Sequence, residues 1–408
     1  MTRGAILRRI GRSPRLNIQL AVQRLARRWR VEELDIPLDL LDLADSGTIA
    51  QPLRGHAPAV DRVPRVAWLA LPAAAGSGGH TTLFRMMRAA QEAGFHNTLL
   101  FYNRFDADLT HYANVVRQAW PWLICDIAGV EAKIEGFDAC VASSWATAHV
   151  LAKRADNDAA RLYFIQDYEP YFYPRGETYA FAEDTYRFGF LNIALGEMIQ
   201  STLDRELSVS SELVPFGADT TVFRLDEPQR PRAGVAFYAR PGTDRRGYRL
   251  AVLALTRFHE KHPTEPIHVY GTANPQLPFP AINHGTISPE QLSELYNSVV
   301  AGLALSFTNV SLAPEEMLAS GAIPVVNEHP DARAVLKNQY VEWARATPSG
   351  LADALSKAVS RTDILDRAKQ ASLSVSGRSW RPTEEAVVRV LAAEVGAELE
   401  DGHIVSRQ

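Results

Sequence analysis

From residue 64 onward, short apolar runs alternate with longer stretches whose apolar residues recur at helical spacing, so the chain reads as strands followed by helices. Residues 66–71 predict a strand, the small-residue stretch AAAGSGGH a loop, 82–93 a helix and 97–102 the next strand, which together make a βαβ unit. The rhythm continues with strands over 139–143, 161–165 and 191–194, and with helices that begin at Ala146 and Glu197. It pauses at ELVPFGADTTVFR, where Pro215 and Gly217 punctuate, and restarts at Gly234 with a strand over 235–239. The densest stretch is SFTNVSLAPEEMLASGAIPVVN, residues 306–327. It follows an apolar strand over 301–305 and carries helix-start residues at Ser311 and Pro314, a helix over 316–320, a stop at Gly321 and a further strand over 323–326. This alternation predicts an α/β protein with mainly parallel sheets and ligands at the C-terminal ends of the strands. The last helix, from Pro382 to about Glu398, is amphipathic and is expected to pack back across two lobes.

Length turns this pattern into two domains, because 408 residues exceed one ordinary core. The expected division is a segment 1–60, a first Rossmann-like domain 61–214, a second 215–378, and a helix and tail 379–408. With 46% hydrophobic and 22% charged residues and a net charge of −4, the whole chain has no electrostatic reason to bind nucleic acid. Local charge differs. Residues 1–30 hold nine arginines and no acid, beside Ile18, Val22, Leu25 and Trp29 at helical spacing, whereas 31–61 hold seven acids against Arg54. A basic amphipathic helix of this kind suits an anionic membrane surface, and equally a helix docked on the protein body. Cys125 and Cys140 lie in apolar surroundings without metal-like spacing, and no run of eighteen apolar residues occurs. A cytoplasmic protein, peripheral at most on the inner face of the plasma membrane, is expected.

Candidate chemistry sits where strands end. Gly76, Gly78, Gly79 and His80 follow the first strand and admit a diphosphate near a helix start, although a tight turn without ligand fits the same residues. In FIQDYEPYFYPRG, Asp167 and Glu169 are placed for sugar or acceptor hydroxyls and Tyr168, Tyr171, Phe172 and Tyr173 for stacking on pyranose rings; lobe packing and capping are the competing reading. Arg240, Arg245 and Arg246, just past the strand over 235–239, suit a diphosphate leaving group. Glu316 is an acceptor for sugar hydroxyls. The sequence DAD at 106–108 lacks the setting of a metal-binding motif, so no metal and no cofactor are expected.

Four pieces in order, VPFGADTTVF, FYARPGTDRRG, HGTISPEQLSELY and PEEMLASGAIPVV, make the second half resemble the retaining glycosyltransferases of family 4, which have the GT-B fold of two facing Rossmann-like domains. Within that family, FIQDYEPYFYP with EDTYRFGF is similar to the WsaF-type rhamnosyltransferases of surface-polysaccharide assembly. The resemblance covers roughly residues 64 to 395 and leaves 1–60 unexplained. It implies donor contacts from Gly78, Gly79, His80, Arg240, Arg245, Arg246, Tyr270, Gly271, Ile287, Thr308, Asn309, Val310, Ser311, Leu312 and Glu316, with Glu316 at the nucleoside ribose. Arg240, Arg246 and Asp167 are the catalytic candidates, and Asp167, Glu169 and Tyr171 the acceptor candidates. Thr308 stands where the family usually has the first of two glutamates, the one that reads the transferred sugar. The implied activity is metal-independent hexosyl transfer from a nucleotide-sugar, with rhamnose from dTDP-L-rhamnose the expected donor, to a lipid-linked bacterial surface polysaccharide. A GDP- or UDP-sugar donor, an epimerase and a non-catalytic nucleotide-sugar binder are the alternatives.

Overall fold

The structure, a computed structural model, describes residues 36–49, 62–105, 108–156 and 158–405. The basic stretch 1–30 lies outside them. Apolar runs buried on both faces make strands that only a parallel, helix-covered sheet can accommodate. In the first lobe these are β1 (Arg65–Ala70), α1 (Gly78–Glu92), β2 (His96–Phe101), α2 (Leu109–Ala119), β3 (Asp126–Gly129), β4 (Ala139–Ala142), α3 (Trp145–Arg154), β5 (Ala160–Ile165), α4 (Glu177–Asp184), β6 (Leu191–Leu195), α5 (Glu197–Leu207) and β7 (Glu212–Val214). The second lobe contains β8 (Val235–Tyr238), α6 (Tyr248–Lys261), β9 (Ile267–Tyr270), β10 (Ile282–Asn283), α7 (Pro289–Ser298), β11 (Ala301–Leu303), α8 (Ala313–Ala319), β12 (Ile323–Asn327), α9 (Pro330–Val335), β13 (Glu342–Ala344), α10 (Pro348–Val359) and α11 (Ile364–Leu373). The chain closes with α12 (Arg381–Glu394) and a hairpin, β14 (Glu398–Glu400) and β15 (His403–Val405).

The first sheet runs β3-β2-β1-β4-β5-β6-β7 and the second β10-β9-β8-β11-β12-β13, with every neighbouring pair parallel. Strand order reverses between β1 and β4 in one sheet and between β8 and β11 in the other. Ligands bind α/β sheets at such reversals, so the loops after β1, β8 and β11 are the ones placed to hold them.

Two cores flank the first sheet and one fills the second lobe. The helix α12 crosses back, as the amphipathic pattern predicts: Val387, Leu391 and Val395 lie in the first lobe's core beside Phe84 and Met87. Its return path passes Trp380, and a Cβ on Gly217 would fall 2.5 Å from that indole, so only glycine fits there. Part of the segment 1–60 is bound to the first lobe. Leu38 is buried in it, and Asp42 accepts from Tyr102 Oη (2.9 Å) and pairs with Arg154 at 2.7 Å.

The structure corrects two boundaries. The helix α1 starts at Gly78 rather than 82, because Ser77 Oγ accepts the His80 amide and caps it; Gly78, Gly79 and His80 form its first turn rather than a loop. The last helix ends at Glu394, where Gly396 takes φ +66° and turns the chain into the hairpin.

Candidate active site

The second lobe supplies a cationic corner. After β8, Asp244–Arg246 form one 3-10 turn, closed by Gly247 at φ +63° under Phe307 and Leu305. A Cβ on Gly247 would lie 3.0 Å from Phe307 and 3.1 Å from Leu305, so the turn and the loop after β11 are fitted to each other. Arg246 Nη1 donates to Ser306 Oγ at 3.3 Å. Burial, with repulsion from Arg245 and Arg240, brings its guanidinium down to about 10, while Asp167 and Tyr238 oppose the shift. Arg240 is exposed and donates to Tyr238 Oη at 3.1 Å. Asn327, at the end of β12, anchors the adjacent loop by accepting from Ser306 N (2.9 Å) and donating to Ser306 O (2.8 Å).

Beside this corner, Glu316 lies in the first turn of α8 and is half-buried. Burial first, then the nearby charge of Asp219, pushes its carboxyl up to about 8, and Arg85 partly offsets them. Burial, with Glu316 a smaller cause, raises Tyr270 and Tyr296, whose hydroxyls meet at 2.5 Å, while the Tyr238 ring lies 5.3 Å from that of Tyr270. Gly271 at φ +98° is required here, since a Cβ would fall 2.4 Å from Tyr238. Ile287 is half-buried against the second-lobe core, and Ser288 caps α7.

From the first lobe, the loop after β5 reaches across. Gln166 Nε2 donates to Gly79 O (3.0 Å), and Asn309 Nδ2 donates to Gln166 O (3.3 Å). Thr308 Oγ1 donates to Asp167 Oδ2 at 3.0 Å, and Arg245 Nη1 lies 3.8 Å from the same oxygen while its guanidinium covers Phe172 at 4.3 Å. Asp167 and Thr308 are 6% and 3% exposed, so each lobe buries the other's polar group. Burial pushes Asp167 up to about 6; Arg245, Arg246 and the Thr308 hydrogen bond restrain the rise.

Other sequence candidates have different surroundings. Glu169 Oε2 accepts from Trp145 N (2.5 Å) and Tyr163 Oη (3.3 Å), so it caps α3, and burial pushes it up to about 8. His80 Nε2 faces the Leu71 carbonyl (3.0 Å) and Nδ1 meets Ser77 Oγ (2.7 Å), so both ring nitrogens hold the turn before α1. Tyr168 is buried, with its hydroxyl on Glu183 (3.0 Å), and Tyr171 is exposed over its ring. Val310 lies against the second-lobe core, Leu312 against the first-lobe core, and Ser311 is half-buried between them. Sequence reasoning missed Gln166, Arg85, Tyr296 and Asn327. Gln166 adjoins Asp167 in the stretch singled out, whereas Arg85 reads only as the polar face of a helix, its partner Asp219 being 134 positions away.

Residues 125–198 match the WsaF N-terminal domain and residues 233–356 the WsaF C-terminal domain. The chain is thus similar to the WsaF family in both of its lobes. Both WsaF domains are family 4 glycosyltransferase domains, and the solved structures that share this fold include GT-B glycosyltransferases. TarM superposes with a TM-score of 0.63 at 7% identity, covering 82% of this chain and 99% of that one. A glycosyltransferase from Rickettsia africae gives 0.58 at 11% identity, with 82% and 99% covered. In sequence, the O-antigen biosynthesis protein RfbC of Myxococcus xanthus is 31% identical over 278 residues, 65% of this chain. The chain spans 22% of the length of that relative.

Proposed function

We propose that this WsaF-type chain transfers a sugar from a nucleotide-sugar to a growing lipid-linked surface polysaccharide, with L-rhamnose carried on dTDP as the donor. The observation that carries the reading is the meeting, at the β8 and β11 strand ends, of Arg240, Arg245 and Arg246 with a half-buried carboxyl, Glu316, backed by tyrosines. Mutually repelling guanidiniums held close in a cleft are matched by a diphosphate, whose charge grows as the sugar–phosphate bond breaks. Arg240 and Arg246 take that leaving-group charge without a metal, and Glu316 binds the ribose. Tyr270, Gly271 and Ile287 border the base. The sugar keeps its anomeric configuration on transfer. The O-antigen relative supports a polysaccharide acceptor, and a complex of S. aureus TarM with UDP supports a nucleotide donor. Residues 1–30, outside the described part, would hold the enzyme against an anionic membrane from the cytoplasmic side; among the described residues no helix is long and apolar enough to cross one.

A thermal-shift panel of dTDP-, UDP- and GDP-sugars ranks donors, because a ligand of the folded state raises stability by RT ln(1 + [L]/Kd). Transfer is then read by the appearance of labelled sugar on a lipid-linked acceptor rather than in a new nucleotide-sugar. In Arg240→Ala, turnover falls on the order of 10²-fold with the melting temperature unchanged. Near-normal turnover in a folded variant removes the arginine assignment.

A further inference from the structure

Asp167 is built in a way that packing alone does not explain. It belongs to the first lobe, yet its carboxylate is buried by the second, with Oδ2 taking the Thr308 hydroxyl at 3.0 Å and Arg245 at 3.8 Å. Its other oxygen, Oδ1, is buried and accepts no hydrogen bond among the described residues, while the Tyr168 backbone favours the ionised form of the carboxyl. A buried carboxylate oxygen without a donor is costly, and such an atom in a native cleft marks a place where a donor arrives in the working complex. The surroundings narrow what that donor is. Gln166 and Asn309 tie the same loop to Gly79 on one side and to the loop after β11 on the other, and Arg246 stands behind. Whatever reaches Oδ1 therefore lies beside the cationic corner assigned to the diphosphate. A phosphate oxygen carries no proton to give and would repel the carboxylate, whereas a hydroxyl donates.

We propose that Asp167 reads a hydroxyl of the transferred sugar from across the cleft: Thr308 and Arg245 hold one carboxylate oxygen, and the sugar hydroxyl donates to the other. The inference deepens the glycosyl-transfer reading and rests on it. Asp167 is then a specificity residue that joins recognition of the sugar to lobe closure, because its Thr308 contact exists only while the lobes meet. The Thr308 hydroxyl lies in the same space, so a carboxylate carried by a longer side chain at 308 reaches the position that Asp167 serves.

The test compares each nucleotide-sugar with its own nucleoside diphosphate on the full chain: dTDP-L-rhamnose with dTDP, UDP-glucose with UDP, and GDP-mannose with GDP, by calorimetry. Asp167→Ala weakens the nucleotide-sugar that wild type binds by about 10- to 100-fold, while the matching diphosphate stays within about 3-fold. Asp167→Asn, which keeps the shape and serves if the alanine variant does not fold, shows the same selective loss to a smaller extent. Adding Thr308→Glu to Asp167→Ala recovers most of the lost sugar-dependent affinity. Equal loss for sugar-bearing and sugar-free ligands, or no loss for either in a folded variant, overturns the proposal and leaves glycosyl transfer standing. If wild type binds none of the three nucleotide-sugars, the glycosyl-transfer reading falls, and the proposal with it.

Discussion

The two lobes meet along two seams of opposite character. At the hinge, Trp380 is 5% exposed, lies 5.7 Å from the Phe216 ring and presses on Gly217 so closely that no side chain fits there. Thr383 Oγ1 donates to Pro215 O (2.6 Å) and Arg378 Nη2 to Phe216 O (2.8 Å), while Arg85 pairs with Asp219 and Arg378 with Glu315. Across the cleft the contacts are single and polar: Thr308 on Asp167, Asn309 on Gln166, Arg245 over Phe172. Close apolar packing has no cheap substitute once formed, whereas a hydrogen bond can be exchanged for one to a ligand at little net cost. The hinge is therefore the fixed seam and the cleft the exchangeable one.

This contrast breaks first at Trp380. Trp380→Ala costs about 3–5 kcal/mol in denaturant unfolding through the cavity it leaves, and a loss below about 1 kcal/mol would mean that the hinge is not packed as described. On the cleft side, Arg246→Ala lowers turnover about 10²- to 10³-fold with little change in unfolding; equal damage to stability would erase the distinction between the seams. Gly217→Ala, which forces the new methyl onto Trp380, costs about 1–3 kcal/mol, and a neutral result would show that the hinge yields. Glu169→Gln sharpens the picture through pH. Burial and Asp167 hold the Glu169 carboxyl up to about 8, while the Trp145 amide, Tyr163 and Arg245 oppose this. Between its ordinary range and about 8 the folded chain keeps a proton that the unfolded chain has lost, so this contribution to stability declines as pH rises. The variant's melting temperature should gain on wild type from pH 5 to pH 8, and the opposite trend would mean an ionised cap. The smallest effect belongs to Arg205→Ala, which removes the exposed interlobe pair with Asp331 (3.1 Å) and changes stability by about 1 kcal/mol or less.

What sequence alone could give follows the same division. The central strands and their parallel arrangement were legible because each is a continuous apolar run, whereas the edge strands β3, β7, β10 and β13 are short and part-exposed and carry no such run; Arg240, Arg245, Arg246 and Glu316 were legible as site candidates because each lies in or beside a recognisable turn. The pairing of Asp167 with Thr308 joins positions 141 apart and depends on how the lobes face each other, which no local pattern encodes. Glu169 was ambiguous between ligand and cap until the position of Trp145 resolved its contact. Glycines at the start of α1 read as loop because their intrinsic preference opposes helix, and the Ser77 cap outweighed it. The terminal hairpin has strands of three residues, too short to carry a period.

The return of α12 into the first lobe has a consequence for biosynthesis. On the ribosome the second lobe's core, spanning Phe223 to Val375, is complete before α12 emerges, whereas the first lobe, begun earlier, still lacks one wall. At about 5–20 residues per second this interval lasts on the order of ten seconds. The lobe translated first is therefore the last to close, and its unfinished apolar face over α1 is what a chaperone would have to shield in the meantime.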